Sequence, residues 1–144
     1  METENDPGAE CHAIIVEYHG DIDRGRATAA IAHFADDAQF EAHGQRLHGR
    51  AEILGFLTAR EGRTDRHTVH LIANSLVRQV SDAEVAISAL VMLHVRHPDG
   101  RYALDRVLDT VHHFRLTAAG WKIAARTSTP LHDSPTLQAT GAHK

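Results

Sequence analysis

The sequence is poor in cysteine and has neither a long apolar run nor a cluster of positive charge. Its 144 residues include one cysteine, Cys11, which excludes an internal disulfide framework and a cysteine-rich metal site. No apolar stretch approaches the ~20 residues that a bilayer-spanning helix needs. Since Lys+Arg is 15, Asp+Glu is 19 and the net charge is −4, we expect no binding to nucleic acid or to an anionic membrane.

Aromatic residues are also few, whereas histidine is abundant. One tryptophan, two tyrosines and four phenylalanines accompany 13 histidines. Histidine titrates near physiological pH and ligates metals, so the excess fits surface, catalytic or metal-binding roles. The adjacent His112 and His113 point to opposite faces of a predicted strand, and His67 and His70, three residues apart, also diverge. Because a zinc site needs three or four converging ligands, we expect no metal.

Length and composition predict one folded domain. An apolar content of 42% suffices for an ordinary core. We expect a flexible N-terminus over residues 1–8, the folded domain over 9–132, and a loose C-terminal tail over 133–144. The acidic, polar start METENDPGAE does not resemble a signal peptide, so we expect a cytoplasmic protein.

The spacing of apolar residues changes midway along the chain. Helical spacing predicts helices over 9–24, 27–34 and 50–60, with a short strand over 39–42 and a turn at His43–Gly44. After Gly62, alternation predicts four long strands over 67–80, 83–97, 101–116 and 121–128. This order indicates an α+β fold: three N-terminal helices packed on a strongly curved, mostly antiparallel sheet. Such a sheet forms a cone-shaped barrel whose open mouth suits a small molecule.

Four segments carry a resemblance to a known family. They are YHGDID (18–23), AIAHFADDAQFEAHG (30–44), HLIANSLVRQVSDAEVAIS (70–88) and GWKIAAR (120–126). In this order and at these separations they resemble the SnoaL-like branch of the nuclear transport factor 2-like superfamily, over about residues 9–132. The chain is most similar to the lyases of that branch: scytalone dehydratase, bile-acid 7-alpha-dehydratase and hexachlorocyclohexane dehydrochlorinase.

The resemblance implies a histidine–aspartate pair that works without metal or organic cofactor. It assigns His70 as general base and Asp23 as the carboxylate that orients it. A neutral imidazole suits proton abstraction at neutral pH, and a carboxylate on its other nitrogen fixes the tautomer. The alternative interpretation makes His70 a polar strand residue and Asp23 a charge at a helix end.

Two more residues receive roles from the same resemblance. Arg126 would steady a departing or developing anion, or else pair with a surface acid while its stem covers the sheet. Tyr18 would hydrogen-bond a substrate oxygen, although it also fits the apolar stripe of the first helix. Because the dehydrochlorinase has a lysine in place of Tyr18, tyrosine favours an oxygen leaving group over a halide.

Strand alternation suggests which side chains contact the substrate. The predicted substrate-binding residues are Leu93, Asn74, Leu108, Thr110 and His112. Asn74 follows His70 by four residues and so shares its strand face. The wholly apolar face of residues 83–97 makes Leu93 a pocket wall and turns His94 outward. Asp105 and Asp109 share the other face of their strand, either as an acid or base in an enclosed site or as solvated charges.

These features predict a cofactor-independent lyase or isomerase of the dehydratase, dehydrohalogenase or cyclase type. Its substrate is a small, largely apolar, oxygenated molecule, and the protein is a homo-oligomer, with a trimer favoured over a dimer. One alternative is a non-catalytic module of the same fold that binds a small ligand or a partner protein. Another is a relative of the beta chains of ring-hydroxylating dioxygenases. An Asp23–His70 contact within ~3.2 Å beside an empty cavity would favour the enzyme.

Overall fold

The computed structural model describes residues 6–133, which form helices packed against one curved six-stranded sheet. The helices are α1 (Pro7–Asp23), a 3₁₀ helix (Ala27–His33), α2 (Arg50–Gly62) and a short 3₁₀ helix (Leu131–Asp133). The strands are β1 (Phe34–Ala42), β2 (Gln45–His48), β3 (Thr68–Ser81), β4 (Glu84–Arg96), β5 (Tyr102–Thr117) and β6 (Gly120–Pro130). Their order in the sheet is β2-β1-β6-β5-β4-β3, and among the described strands only the β1–β6 pair is parallel. The predicted α+β cone is therefore confirmed.

Helix α1 begins earlier than the apolar pattern predicts. Pro7 is its first residue, and the Asp6 carboxylate accepts a hydrogen bond from the Ala9 amide at 3.2 Å. Proline has no N–H to lose at this position and an aspartate N-cap satisfies a free amide, so Pro7 starts the helix instead of preventing it. Residues 7 and 8 thus belong to the folded domain. Residues 1–5 and 134–144, the remainder of the two predicted terminal segments, lie outside the described residues.

The segment between α1 and α2 differs most from the prediction. The second helix is a 3₁₀ helix, and β1 starts at Phe34, five residues before the predicted strand. Strand β2 was not predicted, because four mostly exposed residues carry no clear alternation. The predicted turn is confirmed: His43 and Gly44 both have positive φ, +55° and +74°, as a two-residue type I′ hairpin requires.

The four long strands lie within two residues of their predicted bounds, but bulges interrupt three of them, β3, β5 and β6. In β3 the register shifts between Ala73 and Leu76, where Asn74 has φ +53°. In β5 it shifts because Asp105 has no partner on β4, between Leu104 and Arg106. Each bulge ends the simple alternation of faces along its strand.

The core lies between the helices and the concave face of the sheet. Its largest fully buried side chains include Tyr18, Phe34, Phe40, Phe114, Ile53 and Leu57. Cys11 is fully buried among them, and burial, aided by the charge of Glu10, raises the pKa of its thiol to about 12. None of the helices in the described part of the chain is both long and apolar enough to cross a membrane.

Two leucines of α2 offer a matched test of this packing. Leu57 is 0% exposed and Leu54 is 39% exposed on the same helix. We expect Leu57→Ala to lower the free energy of unfolding by about 3 kcal/mol, because it removes apolar contacts and leaves a cavity. Leu54→Ala should change it by less than about 1 kcal/mol. Urea unfolding measures both, and equal losses would contradict this packing of α2.

Candidate functional site

The end of α1 and the start of β3 meet through one carboxylate. The Asp23 Oδ1 atom lies 2.6 Å from His70 Nδ1, and its Oδ2 atom accepts the backbone N–H of His70 at 2.8 Å. A carboxylate accepts, so Nδ1 carries the proton and Nε2 keeps a lone pair. The Nε2 atom makes no hydrogen bond with a described residue, and the ring lines a cavity.

A second layer of hydrogen bonds holds this carboxylate. The Thr68 hydroxyl donates to Asp23 Oδ1 at 2.8 Å and accepts from Arg60 Nη2 at 3.2 Å. The same Arg60 nitrogen donates to the Arg66 carbonyl at 3.3 Å. Because Asp23 receives three hydrogen bonds from β3, its carboxylate and the His70 ring are fixed relative to each other.

The environment of Asp23 keeps it ionised. Burial alone would raise the pKa of its carboxyl group. The hydrogen bonds and charge of His70, together with the hydrogen bond from Thr68, outweigh burial and hold that pKa below its usual range. Asp23 therefore stays an acceptor at neutral pH, as the proton on His70 Nδ1 requires.

Arg126 lies in the same region as a buried cation, only 5% exposed. Its Nε donates to His112 Nε2 at 3.1 Å, and its Nη2 lies 3.4 Å from His19 Nε2. Its guanidinium carbon lies 5.0 Å from the ring centres of Tyr18 and Phe40. Arg126 forms no ion pair with a described residue, so imidazoles and aromatic faces surround its charge.

The two imidazoles beside Arg126 must be neutral. The His19 Nδ1–H donates to the Ile15 carbonyl at 2.9 Å, and its Nε2 faces Arg126 as an acceptor. Burial, reinforced by the Arg126 charge, lowers the pKa of His19 and of His112 well below the usual value. The His112 Nδ1 atom is buried without a hydrogen-bond partner among the described residues. Both rings therefore add acceptors beside Arg126 without adding charge.

These groups surround a cavity of about 90 Å³. Its apolar walls include Ile22, Phe40, Phe56, Leu93 and Leu108. Its charged and titratable residues are His19, His43, His70, Arg60, Arg66 and Arg126. The ring of His70 lies close to His19, with ring centres 4.9 Å apart, so the candidate base and the buried cation share one end of the cavity.

Comparison with known proteins identifies the family. The model of the SnoaL-like domain matches residues 8–127. The chain belongs to the SnoaL-like family. None of the curated proteins compared with this SnoaL-like chain matches it significantly.

Solved structures share the fold of this SnoaL-like domain. An NTF2-like protein with a cystatin-like fold from Novosphingobium aromaticivorans is similar at 21% identity, covering 95% of this chain and 90% of its own, with a TM-score of 0.80. Aln2 from a Streptomyces species gives 16% identity, 95% and 99% coverage, and a TM-score of 0.77. ActVI-ORFA from Streptomyces coelicolor is similar at 18% identity, covering 86% of this chain and 96% of its own, with a TM-score of 0.75. These likenesses establish the NTF2-like fold.

Several residues predicted from the sequence lie together at this cavity of the SnoaL-like domain. His70, Arg126, Tyr18, Leu93 and Leu108 line it. Asp23 lies behind His70. Tyr18 contacts the cavity directly, whereas Asp23 contacts His70 and does not line the cavity.

Three of the predicted substrate contacts lie outside the cavity lining. Asn74 is exposed, because its left-handed conformation in the β3 bulge ends the alternation that began at His70. Thr110 and His112 do face inward, but they lie deeper in the core than the cavity. The Thr110 hydroxyl donates to the Ala89 carbonyl at 3.0 Å, and His112 lies behind Arg126. Face alternation gives the side of a sheet but not the depth along a strand.

The residues with open roles lie away from the cavity lining. His94 pairs with Val69 and Leu104 on the convex face. Asp105 is exposed and ion-paired with Arg106 at 3.0 Å, and Asp109 is half-buried. Neither aspartate lines the cavity, which agrees with the interpretation of solvated charges.

The sequence interpretation missed four histidines and arginines of the cavity lining: His19, His43, Arg60 and Arg66. A signal existed for two of them. His19 follows Ile15 by four residues and Arg60 follows Leu57 by three, so both fall on buried helix faces. His43 and Arg66 lie in a turn and a loop, where periodicity carries no information. No group of three metal-ligating side chains converges anywhere in residues 6–133.

The buried histidines predict a pH-dependent stability. Folded His19 and His112 stay neutral, whereas in the unfolded chain they bind protons below pH ~6.5. The unfolded state then binds more protons than the folded state. The free energy of unfolding therefore decreases as the pH is lowered, by up to about 1.4 kcal/mol per pH unit for each residue. We expect the free energy of unfolding to be about 2–3 kcal/mol lower at pH 5.5 than at pH 7.5.

Urea unfolding at both pH values measures this loss. His112→Gln should remove about half of it, because one buried imidazole no longer titrates on unfolding. His97→Gln serves as the matched control, since His97 is exposed. A free energy of unfolding that stays constant over this range would contradict the neutral, buried state of the pair.

Proposed function

We propose that the protein is a cofactor-independent lyase or isomerase of the dehydratase, dehydrohalogenase or cyclase type. The observation that carries the proposal is the 2.6 Å contact that occupies His70 Nδ1 and leaves Nε2 at the cavity. This distance lies within the ~3.2 Å expected of a working pair. The substrate is a small, largely apolar, oxygenated molecule.

In the proposed reaction, His70 Nε2 removes a proton from a carbon beside a carbonyl group. The Asp23 carboxylate stabilises the imidazolium that forms and holds the ring in place. If a hydroxide or halide leaves from the neighbouring carbon, the product gains a double bond. If nothing leaves and the substrate holds a conjugated C=C bond, returning the proton to its far carbon moves that double bond. If the substrate holds a second carbonyl group, the carbanion adds to its carbon, the C=O π bond breaks, and the alkoxide oxygen takes the proton from His70, which closes a ring.

Arg126 and Tyr18 serve the developing negative charge. Since Arg126 has no carboxylate partner among the described residues, its guanidinium can stabilise an enolate oxygen or a departing anion. The Tyr18 hydroxyl makes no hydrogen bond with a described residue, so it can donate to a substrate oxygen. Burial raises the pKa of Tyr18 despite the opposing effect of the Arg126 charge, and this keeps the phenol protonated.

The proton abstraction step has a direct test that needs no leaving group. The protein is incubated in D₂O with levulinate, cyclohexanone and 2-tetralone, and exchange of the protons beside the carbonyl is followed by NMR. We expect His70→Ala to lower enzyme-dependent exchange by at least about 10²-fold, since general base catalysis contributes ~10²–10⁴-fold. Asp23→Asn should also lower it, because an amide in place of the carboxylate no longer stabilises the imidazolium.

The control replaces a histidine outside the cavity. His97→Gln should exchange like the unaltered protein, and circular dichroism should show each variant folded. Full exchange activity in folded His70→Ala would refute the base assignment and leave a ligand-binding module of the same fold.

We also propose that the protein forms a homo-oligomer, a trimer in preference to a dimer. Apolar side chains continue across the convex face of the sheet: the exposed Leu71 is opposite the half-buried Met92, which is opposite the half-buried Val107. Leu104 is likewise exposed. A contiguous apolar face of this kind is typical of a surface covered by another protein.

Light scattering measures the mass in solution. We expect a mass above one chain, and we expect Leu71→Arg combined with Leu104→Arg to lower it, because buried unpaired charges disfavour association. Arg78→Gln, on the same strand as Leu71, is the control. A monomeric unaltered protein would contradict the proposal.

The cytoplasmic location also remains a prediction.

A further inference from the structure

The 13 arginines of this protein differ in their ion pairs and in their exposure. Seven of them form ion pairs with aspartate or glutamate: Arg26, Arg46, Arg50, Arg63, Arg101, Arg106 and Arg115. None of these seven lines the cavity. The three that do line it, Arg60, Arg66 and Arg126, form no ion pair with any described residue. Arg24, Arg78 and Arg96 also form no ion pair with a described residue, but they are exposed. Among the described residues, a buried or half-buried arginine without a carboxylate partner is therefore found only at the cavity.

The half-buried pair Arg60 and Arg66 has guanidinium N–H groups to spare. Arg60 uses one nitrogen, Nη2, for the Thr68 hydroxyl and the Arg66 carbonyl, which leaves Nε and Nη1 without partners in residues 6–133. The Arg66 side chain makes no hydrogen bond or ion pair with a described residue. Burial lowers the pKa of Arg60, and the nearby charge of Arg66 lowers it further.

Neighbouring acids offset this charge only in part: Asp23 and Asp65 act to raise the pKa of Arg60, but burial and the charges of Arg66 and Arg63 outweigh them and lower it. Asp23 is not part of the lining, and its oxygens already accept from Thr68, from the His70 backbone and from the His70 ring. Positively charged side chains also act on the pKa of His43, which lines the cavity. Burial lowers the pKa of His43, and the charges of Arg126, Arg106 and Arg66 lower it further.

We propose that the substrate is a carboxylate, held at its acid group by Arg66 and the free N–H groups of Arg60. This inference rests on the proposed function, because it places the remaining, apolar part of the substrate between His70 and Arg126. A guanidinium matches the two oxygens of a carboxylate, and the half-buried position strengthens the attraction relative to open solvent. The apolar walls Phe40, Phe56 and Leu93 suit the body of such a molecule.

Matched pairs of probes test the charge alone. Benzoate against benzamide and crotonate against crotonamide are titrated into the protein by calorimetry at pH 8, where a free imidazole is neutral. We expect saturable binding of at least one carboxylate that weakens with added salt, and at least about tenfold weaker binding of its amide. Arg66→Gln should weaken carboxylate binding at least fivefold and leave amide binding unchanged. Arg78→Gln is the control, since Arg78 is exposed and outside the cavity.

The outcomes separate this inference from the proposed function. Equal binding of a carboxylate and its amide, absence of saturable carboxylate binding, or equal effects of Arg66→Gln and Arg78→Gln would overturn the acid-binding site. The measurement does not require proton abstraction. If carboxylates bind selectively while His70→Ala keeps its exchange activity, the catalytic proposal fails and the acid-binding site stands.

Discussion

The carboxylate of Asp23 is the point at which helix and sheet are joined. It closes the last turn of α1 onto the first residues of β3, and it does so through three hydrogen bonds from two residues. A buried carboxylate is costly unless such donors satisfy it, so ionisation and packing depend on each other here. The same contact decides which nitrogen of His70 is free. Local folding at the end of one helix thereby fixes the chemistry available at the cavity.

Arg126 shows how the fold keeps a cation buried without cancelling its charge. Two neutral imidazoles accept its hydrogen bonds, and two aromatic faces lie beside its guanidinium. This arrangement lowers the cost of burial less than a carboxylate would, and it leaves the field of the charge directed at the cavity. The structure explains two of the many histidines, His19 and His112, in this way. An imidazole can be an uncharged acceptor, which aspartate and glutamate cannot be at neutral pH.

Much of the fold could be predicted because long alternating strands and apolar helical stripes are regular signals. The family resemblance alone predicts that Asp23 and His70 form a pair. The positions of the predicted substrate contacts outside the cavity lining, Asn74, Thr110 and His112, depend on a bulge or on depth along a strand. Neither quantity has a period in the sequence. Arg66 was missed for a related reason, since a loop residue acquires its position from the elements on either side of it.

The burial of Cys11 has a practical consequence. Its thiol is the one thiol of the chain, and a pKa near 12 leaves almost no thiolate at neutral pH. In the folded protein, Cys11 therefore reacts little with maleimide reagents. Two cysteines introduced at exposed sites would alone take spin labels or fluorophores, so that the distance between them could be measured without first removing Cys11.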